Sequence, residues 1–218
     1  MPREIYHLTS TLAELLRDEN NETREACGEN VDAYIEQIQA CYDSGPVALA
    51  REVQACADLF LADGKRESPE SPQIQCRKGC SHCCNQIVCI SSAEAVQLVQ
   101  VAKENGLVLD QARLARQLPY TDGTWSSQPI EDRACLFLGR DGCCQVYQDR
   151  PLSCRKYHVI SPPERCDIEA YPHAPVQVWY DAQTELFTSA AFTYSGSGFM
   201  PQMLLDVMSH PRREHHDR

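Results

Sequence analysis

Hydrophobic positions in the first third of the chain recur with the period of a helix. Leu8, Leu12, Leu15 and Leu16 stand one and two turns apart and predict an amphipathic helix. Cys27, Val31, Tyr34, Ile38 and Cys41 follow at steps of four, three, four and three. That spacing lays them on one stripe of a second helix, closed by the turn residues Asp43-Ser44-Gly45-Pro46. A third helix is expected to open at Pro46, a favoured first helical position, and to bury Val47, Ala50, Val53, Ala57, Phe60 and Leu61. The period then breaks at ADGKRESPESPQIQ (62–75), where Gly, Pro, Ser and charge take over.

That break divides the chain into an acidic helical region at 1–70 and a second domain at 71–200, followed at 201–218 by the end of a C-terminal helix and a flexible tail. In the second domain, Ser91 stands three residues ahead of Glu94 as a capping box, and Asn105-Gly106 closes the helix it starts. A second short helix is expected over Gln111 to Leu118, and Pro119 to Ile130 is polar and rich in turn residues. VQVWYDAQTELFTSAAFTY (176–194) predicts a strand or hairpin followed by a helix. The fold class expected is mainly α: an N-terminal helical bundle packed on a small, irregular, cysteine-rich metal domain with little β.

Composition narrows the chemistry. A chain of 218 residues that is 43% hydrophobic can bury a sizeable core without disulfides. Its net charge is −11, and residues 1–70 carry 15 acidic side chains against 6 basic ones. Such a field opposes nucleic acid phosphates and anionic membrane surfaces, so neither is expected as a partner. The opening residues place charges on both sides of their leucines, unlike a secretion signal, and no apolar run reaches the roughly 18 residues of a spanning helix. A soluble, cytoplasmic protein is expected. In that reducing compartment, 13 cysteines, an odd number, fit metal binding or catalysis better than a disulfide framework.

Five of the cysteines fall within CRKGCSHCCNQIVC (76–89), and five more within CLFLGRDGCCQVYQDRPLSCRKYHVISPPERC (135–166). Thiolates repel one another and are costly to bury without a cation, so two such groups in one domain imply a metal or an iron–sulfur core. The gaps in Cys76-x3-Cys80-x2-Cys83 suit a loop wrapped around one inorganic centre, with Gly79 turning the backbone where a side chain would clash. The adjacent pairs Cys83/Cys84 and Cys143/Cys144 are expected to point their side chains apart, so that one member of each serves a given ion. Cys27, Cys41 and Cys56 are isolated at helical spacing and read as small core residues. Arg77, Lys78, Arg150, Arg155 and Lys156 flank the cysteines. They offer a cationic surround for thiolates, or in the case of Arg150 a turn cap. His82 and His158 are candidates for a mixed Cys/His site, Tyr147 reads as a packed aromatic, and His210, His215 and His216 belong to the tail.

The run Cys76, Cys80, Cys83, Cys84, then Cys135-Leu-Phe-Leu, Cys144-Gln-Val-Tyr147, Arg150-Pro151 and Cys154-Arg155 resembles the YkgJ-type cysteine-cluster family, known as zinc- or iron-chelating domains. The resemblance spans residues 76–166. It implies that Cys76, Cys80, Cys83, Cys84, Cys135, Cys144 and Cys154 form the chelating set, with Cys166 as a further member, and leaves open whether Cys143 replaces Cys144. It implies as cofactor an iron–sulfur cluster, 4Fe–4S in the favoured form, or zinc. Flagellin lysine methylases contain a similar domain, which adds a second reading: an iron–sulfur enzyme using S-adenosylmethionine, such as a protein lysine N-methyltransferase. The C-x3-C-x2-C spacing also matches radical S-adenosylmethionine enzymes, although too few residues follow for their barrel. The expected function is thus a metal-binding protein with a two-part cysteine cluster, with an unidentified protein as partner or substrate.

Overall fold

Local caps and prolines decide where the helices begin. In the computed structural model, which describes residues 6–40, 45–77, 79–171 and 174–210, the architecture is mainly helical. The Thr9 hydroxyl accepts from the Leu12 N–H at 3.1 Å and starts α1, Ser10–Leu15. Helix α2 runs over Asn21–Ala40, and α3, Pro46–Glu67, opens on Pro46, whose missing N–H is no loss in a first turn. Strand β1, Cys89–Ser91, leads into α4, Ser92–Glu104, through the capping box of Ser91 and Glu94. Asp110 caps α5, Gln111–Gln117, and α6 is the single turn Ile130–Arg133. After Pro151 comes α7, Leu152–Lys156, and then β2, His158–Val159, and β3, Val178–Trp179. Asp181 caps α8, Ala182–Ser195, which is followed by β4, Ser197–Phe199, and α9, Met200–Ser209.

Two apolar cores hold these elements. The first is built by Val31, Ile35 and Ile38 of α2, Leu49, Ala50, Val53 and Ala57 of α3, and Phe187, Ala190 and Ala191 of α8, joined by Ala93 and Leu152. Within it Tyr34, Phe60 and Phe187 meet edge to face or tilted, with ring centroids 5.1 to 5.9 Å apart. The second core is built by Leu98, Val101 and Ala102 of α4 with Leu114 of α5, Leu136, Phe137 and Val146 of the cysteine region, and Met200 and Leu204 of α9. Helix α4 faces both, since Ala93 enters the first core and Leu98 the second. Two antiparallel strand pairs close the arrangement: β1 with β4, Cys89 opposite Phe199, and β2 with β3, His158 opposite Trp179.

Several expectations shift. Of the α1 leucines only Leu12 is buried, and Leu15 is 42% exposed, because α1 is a single short element resting on α8 through Thr9. In α2 the fully buried line includes Ile35 beside Val31 and Ile38, while Tyr34 and Cys27 flank it. Cys41, Asp43 and Ser44 lie outside the described residues. Helix α3 buries Leu49 and Gln54 and leaves Val47 and Phe60 at intermediate exposure. It also continues through Gly64 to Glu67, past the expected break at 62. Packing overrides the local signal there: the α8 cap Asp181 lies so near Gly64 that a Cβ would sit 2.6 Å from its Oδ1. Lys65 and Arg66 also suit the negative end of the helix dipole. Val178 and Trp179 pair with β2, not with a neighbouring strand of a local hairpin. The tail expected at the C-terminus falls at 211–218, outside the described residues.

Phe187 joins α2, α3 and α8 at 1% exposure, so Phe187→Ala should destabilise the fold by about 3–5 kcal/mol in urea denaturation. Leu59→Ala, at a position 65% exposed, should change it by under about 0.5 kcal/mol. Equal effects at the two positions would contradict this account of the first core.

Candidate metal centre

Four separate segments carry the cysteines, and hydrogen bonds or packing tie each to its neighbours. The first segment runs beside β2: Gln75 N–H donates to the Val159 carbonyl at 2.7 Å, and Val159 N–H donates to Cys76 Sγ at 3.2 Å. Gly79 has φ +88°, a conformation that glycine adopts without strain. A Cβ there would meet nothing within 4 Å, so the expected clash is not the reason for the glycine; the backbone angle is. A 3-10 turn over His82–Asn85 then presents Cys83 and Cys84. The second segment is tied directly to it, since Cys135 N–H donates to the Cys84 carbonyl at 2.8 Å. Leu136, Phe137 and Val146 sink into the second core, and an antiparallel bridge between Leu138 and Cys144 folds the chain back on itself. Cys135 and Cys144 pack against that core.

The third segment is α7, where Leu152 N–H donates to Glu94 Oε1 at 2.6 Å and the Ser153 hydroxyl donates to the Cys89 carbonyl at 2.7 Å, fixing the residues that precede Cys154. The fourth is the 3-10 turn Pro163–Cys166, which packs on His82–Asn85. Cys166 is 8% exposed.

Cys83 is the electrostatic hub. Its thiol is raised far above the ordinary range, first by the Cys84 thiol hydrogen-bonded to it and then by burial. Charge on Cys83 is in turn felt by Cys76, Cys135, Cys144, Cys154 and Cys166. Burial is the largest cause at all five, pushing Cys135 up to about 12 and Cys166 up to about 11. Cys154 is pushed well up, first by desolvation and then by the Cys135, Cys83 and Cys144 thiols, although its side chain is exposed. Tyr157 is raised to about 12 by burial, then by Cys166, Cys83 and Cys76, so its ring borders the same cluster. The influence of Cys84 on the Cys83 thiol places the two near one another, against the expectation that adjacent side chains point apart. In a 3-10 turn successive side chains are about 120° apart, not on opposite faces as in a strand, and can meet.

The cations that reach the thiols differ in part from those flanking them in sequence. Arg150 lowers Cys144, Arg113 of α5 lowers Cys135 and Lys65 of α3 lowers Cys76, each partly offsetting burial. Arg150 also lies 4.2 Å from the Tyr147 ring centroid and donates to the Tyr147 carbonyl at 2.8 Å, so it caps a turn and serves the cluster at once. Tyr147 is accordingly a packed aromatic. Arg155, 6% exposed, turns toward α3 instead: it donates to Asp58 Oδ2 at 2.6 Å, to the Arg150 carbonyl at 2.8 Å and to the Gln148 carbonyl. Lys156 is held by Glu185 at 2.8 Å in a largely buried pair. Arg77 is exposed, and Lys78 lies outside the described residues.

The histidines have other partners. His82 Nδ1 is 3.9 Å from Asp167 Oδ2. His158 packs edge to face on Trp179, accepts from Lys65 Nζ at 2.9 Å and is lowered to about 4 by burial, then by Lys65. His210 ends α9 with Nδ1 3.3 Å from the Asp206 carbonyl, and His215 and His216 lie outside the described residues. Cys27 and Cys56 pack on the first core, as read from their spacing. Lys65, Arg113, Tyr157 and Glu94 border the cluster without any local sequence signal for it, apart from the capping box that marks Glu94.

Among the described residues, no three His, Cys, Asp or Glu side chains already stand as a shell for one ion. The donor chemistry nevertheless fits zinc or iron: cysteine sulfur, once deprotonated, is a soft ligand that both accept. No described helix is long and apolar enough to cross a membrane. Residues 75–176 match the family model CxxCxxCC, described as "Putative zinc- or iron-chelating domain". No curated protein and no solved structure matches the chain.

The raised thiols fix the sign of an alkaline effect in the metal-free, reduced protein. Native thiols hold protons that the unfolded chain releases near the ordinary value of 9.0, so their contribution to stability is complete below pH 9 and lost as pH rises through about 11 for Cys166 and about 12 for Cys135. The urea midpoint should therefore fall between pH 9 and 12, and less steeply in Cys135→Ser/Cys166→Ser. A double variant that falls as steeply as the parent would remove this explanation.

Proposed function

Taking residues 75–176 as a member of the zinc- or iron-chelating cysteine family, we propose that the protein binds metal at the thiol cluster around Cys83 and that the resident group is an iron–sulfur cluster. One observation carries the reading: thiols from four segments converge on Cys83 in surroundings that penalise their ionisation, and more of them gather than the four a single zinc ion takes. A bound cation would reverse that penalty, because a coordinated thiol is held deprotonated. The chelating set proposed is Cys76, Cys80, Cys83, Cys84, Cys135, Cys144, Cys154 and Cys166. Cys144, whose thiol is sensed by Cys135 and Cys154, is preferred to Cys143.

The chain's own residues prepare this site. Arg113, Arg150 and Lys65 place positive charge beside three of the thiols, which favours the anionic thiolate–metal assembly. Leu136, Phe137 and Val146 anchor the 135–146 segment, and Glu94 holds the start of α7. An iron–sulfur cluster supplies electron transfer or, where one iron is open, a coordination position for a co-substrate. The exposure of Cys154 favours a second reading on the same site, in which S-adenosylmethionine reaches it in an enzyme such as a protein lysine N-methyltransferase.

Protein purified without oxygen should contain iron and acid-labile sulfide; stoichiometric zinc without sulfide would replace the cluster by zinc. Cys80→Ser and Cys154→Ser should each lower metal content and thermal stability together, since metal binding is coupled to folding, whereas Cys56→Ser on the first core should keep the metal. Equal metal loss in all three would defeat the assignment. S-adenosylmethionine should perturb the electron paramagnetic resonance spectrum of the reduced protein only under the second reading.

A further inference from the structure

The 3-10 turn His82–Asn85 carries Cys83 and Cys84, and the hydrogen bonds of so short a turn are poorly aligned, so its surroundings must hold its shape. Its carbonyls show what does so. Those of Ser81 and Cys83 accept from the Cys84 and Gln86 N–H groups at 2.9 and 3.1 Å, and that of His82 accepts from the Asn85 side-chain amide at 3.5 Å. The last two, of Cys84 and Asn85, take their partners from outside the turn, as carbonyls at a helix end must. One segment supplies both: Cys135 N–H donates to the first and the Trp125 indole N–H to the second, each at 2.8 Å.

Trp125, 6% exposed, is placed for this contact by its own loop. Its backbone N–H donates to the Thr121 carbonyl at 2.7 Å, the Thr124 hydroxyl accepts from the Thr121 N–H at 2.9 Å, and the Trp125 carbonyl accepts from the Gln128 N–H at 3.1 Å. Arg133 reaches back from α6 to the Gln128 carbonyl at 2.7 Å, and Gln117 of α5 donates to the Asp132 and Ala134 carbonyls at 2.7 and 3.0 Å. Helix α6 itself packs on the 3-10 turn. The stretch from Thr121 to Cys135, polar and rich in turn residues, is thus tied within itself and to α5, and it meets the turn at Trp125, at α6 and at Cys135.

We propose that Trp125 is a positioning residue of the metal centre, its indole N–H holding the Asn85 carbonyl so that the turn bearing Cys83 and Cys84 is set before a metal arrives. This inference rests on the metal-binding reading above and adds to it a residue that is not itself a ligand. An indole has one donor and no acceptor, so this hydrogen bond is its whole polar function. Packing alone would be served by a phenyl ring; the donor is needed only because the Asn85 carbonyl would otherwise be left without a partner. A turn already in place loses less freedom when it takes a ligand, which strengthens binding.

The test uses the full chain, reduced and metal-free, titrated with Co²⁺ as the probe. Trp125→Phe keeps an aromatic ring and removes the donor; it should bind Co²⁺ about 10- to 100-fold more weakly, the usual loss when a group that orients a ligand is removed. Circular dichroism at the titration temperature should show its helices unchanged. Trp179→Phe makes the same change at the chain's other tryptophan, whose Nε1 donates to Ser68 Oγ at 3.0 Å, and should leave Co²⁺ affinity unchanged. A merely structural role would lower the unfolding midpoint of both variants and the affinity of neither. Should Trp125→Phe fail to fold, the Trp179→Phe protein still decides, because its emission comes from Trp125 alone. Co²⁺ uptake should quench that emission, since cobalt–thiolate charge-transfer absorption overlaps it and the indole is bonded to the residue after Cys84. Unchanged affinity in Trp125→Phe, an equal loss in Trp179→Phe, or unquenched Trp125 emission in protein that takes up Co²⁺ would overturn this inference and leave the metal-binding reading standing. No Co²⁺ uptake by the wild type would overturn the metal-binding reading, and this role with it.

Discussion

A single buried carboxylate joins the scaffold to the chemistry. Glu94, 1% exposed, accepts from the Ser91 N–H at 2.8 Å, the Ser91 hydroxyl at 3.0 Å and the Leu152 N–H at 2.6 Å. Burial raises its pKa, and these hydrogen bonds work against that shift. Through one side chain the end of β1, the first turn of α4 and the first turn of α7 are held together. Cys154 lies two residues beyond Leu152, so the position of a cluster thiol is set by the cap of a helix some sixty residues earlier. Loss of the carboxylate would strand two buried N–H donors, at about 1–3 kcal/mol each.

Around that joint lies a polar layer between α3 and α4. Gln54 and Gln97 exchange hydrogen bonds at 2.9 and 3.0 Å, Gln97 reaches Asp149 at 3.1 Å, and Arg155 bridges Asp58 to the 148–150 backbone. Buried polar groups cost free energy unless paired, and a paired set admits few alternative arrangements. The Arg-Pro-x-x-Cys-Arg string is therefore held mainly by its last arginine, which faces the helical core, while Arg150 attends to the thiols. Two arginines five residues apart divide structure from electrostatics.

The thiols occupy the space beside the second core, not its interior. The apolar residues between them, Leu136, Phe137 and Val146, supply the anchoring that cysteines alone cannot. Three cations partly offset the cost of ionising these thiols, and burial keeps them protonated in the absence of a metal.

Much of the fold was legible along the chain because its signals are short-ranged. The Ser91/Glu94 box, Pro46, Asn105-Gly106 and the leucine and valine periods depend on hydrogen bonds and contacts within one or two turns, and the corresponding helices stand where those signals place them. The cysteine spacing and the Cys-x-Val-Tyr-x-x-Arg-Pro-x-x-Cys-Arg string pointed to chelation for the same reason: ligand loops are local. Tertiary packing decided the rest. It extended α3 through Gly64 against Asp181, paired β1 with β4 across more than a hundred residues, turned Arg155 away from the thiols and brought Arg113 and Lys65 toward them. It also set the 3-10 turn bearing Cys83 and Cys84 against the segments of Cys135 and Cys166. No periodicity encodes those meetings, because they depend on how two cores and one buried carboxylate fold distant stretches of chain onto a common surface.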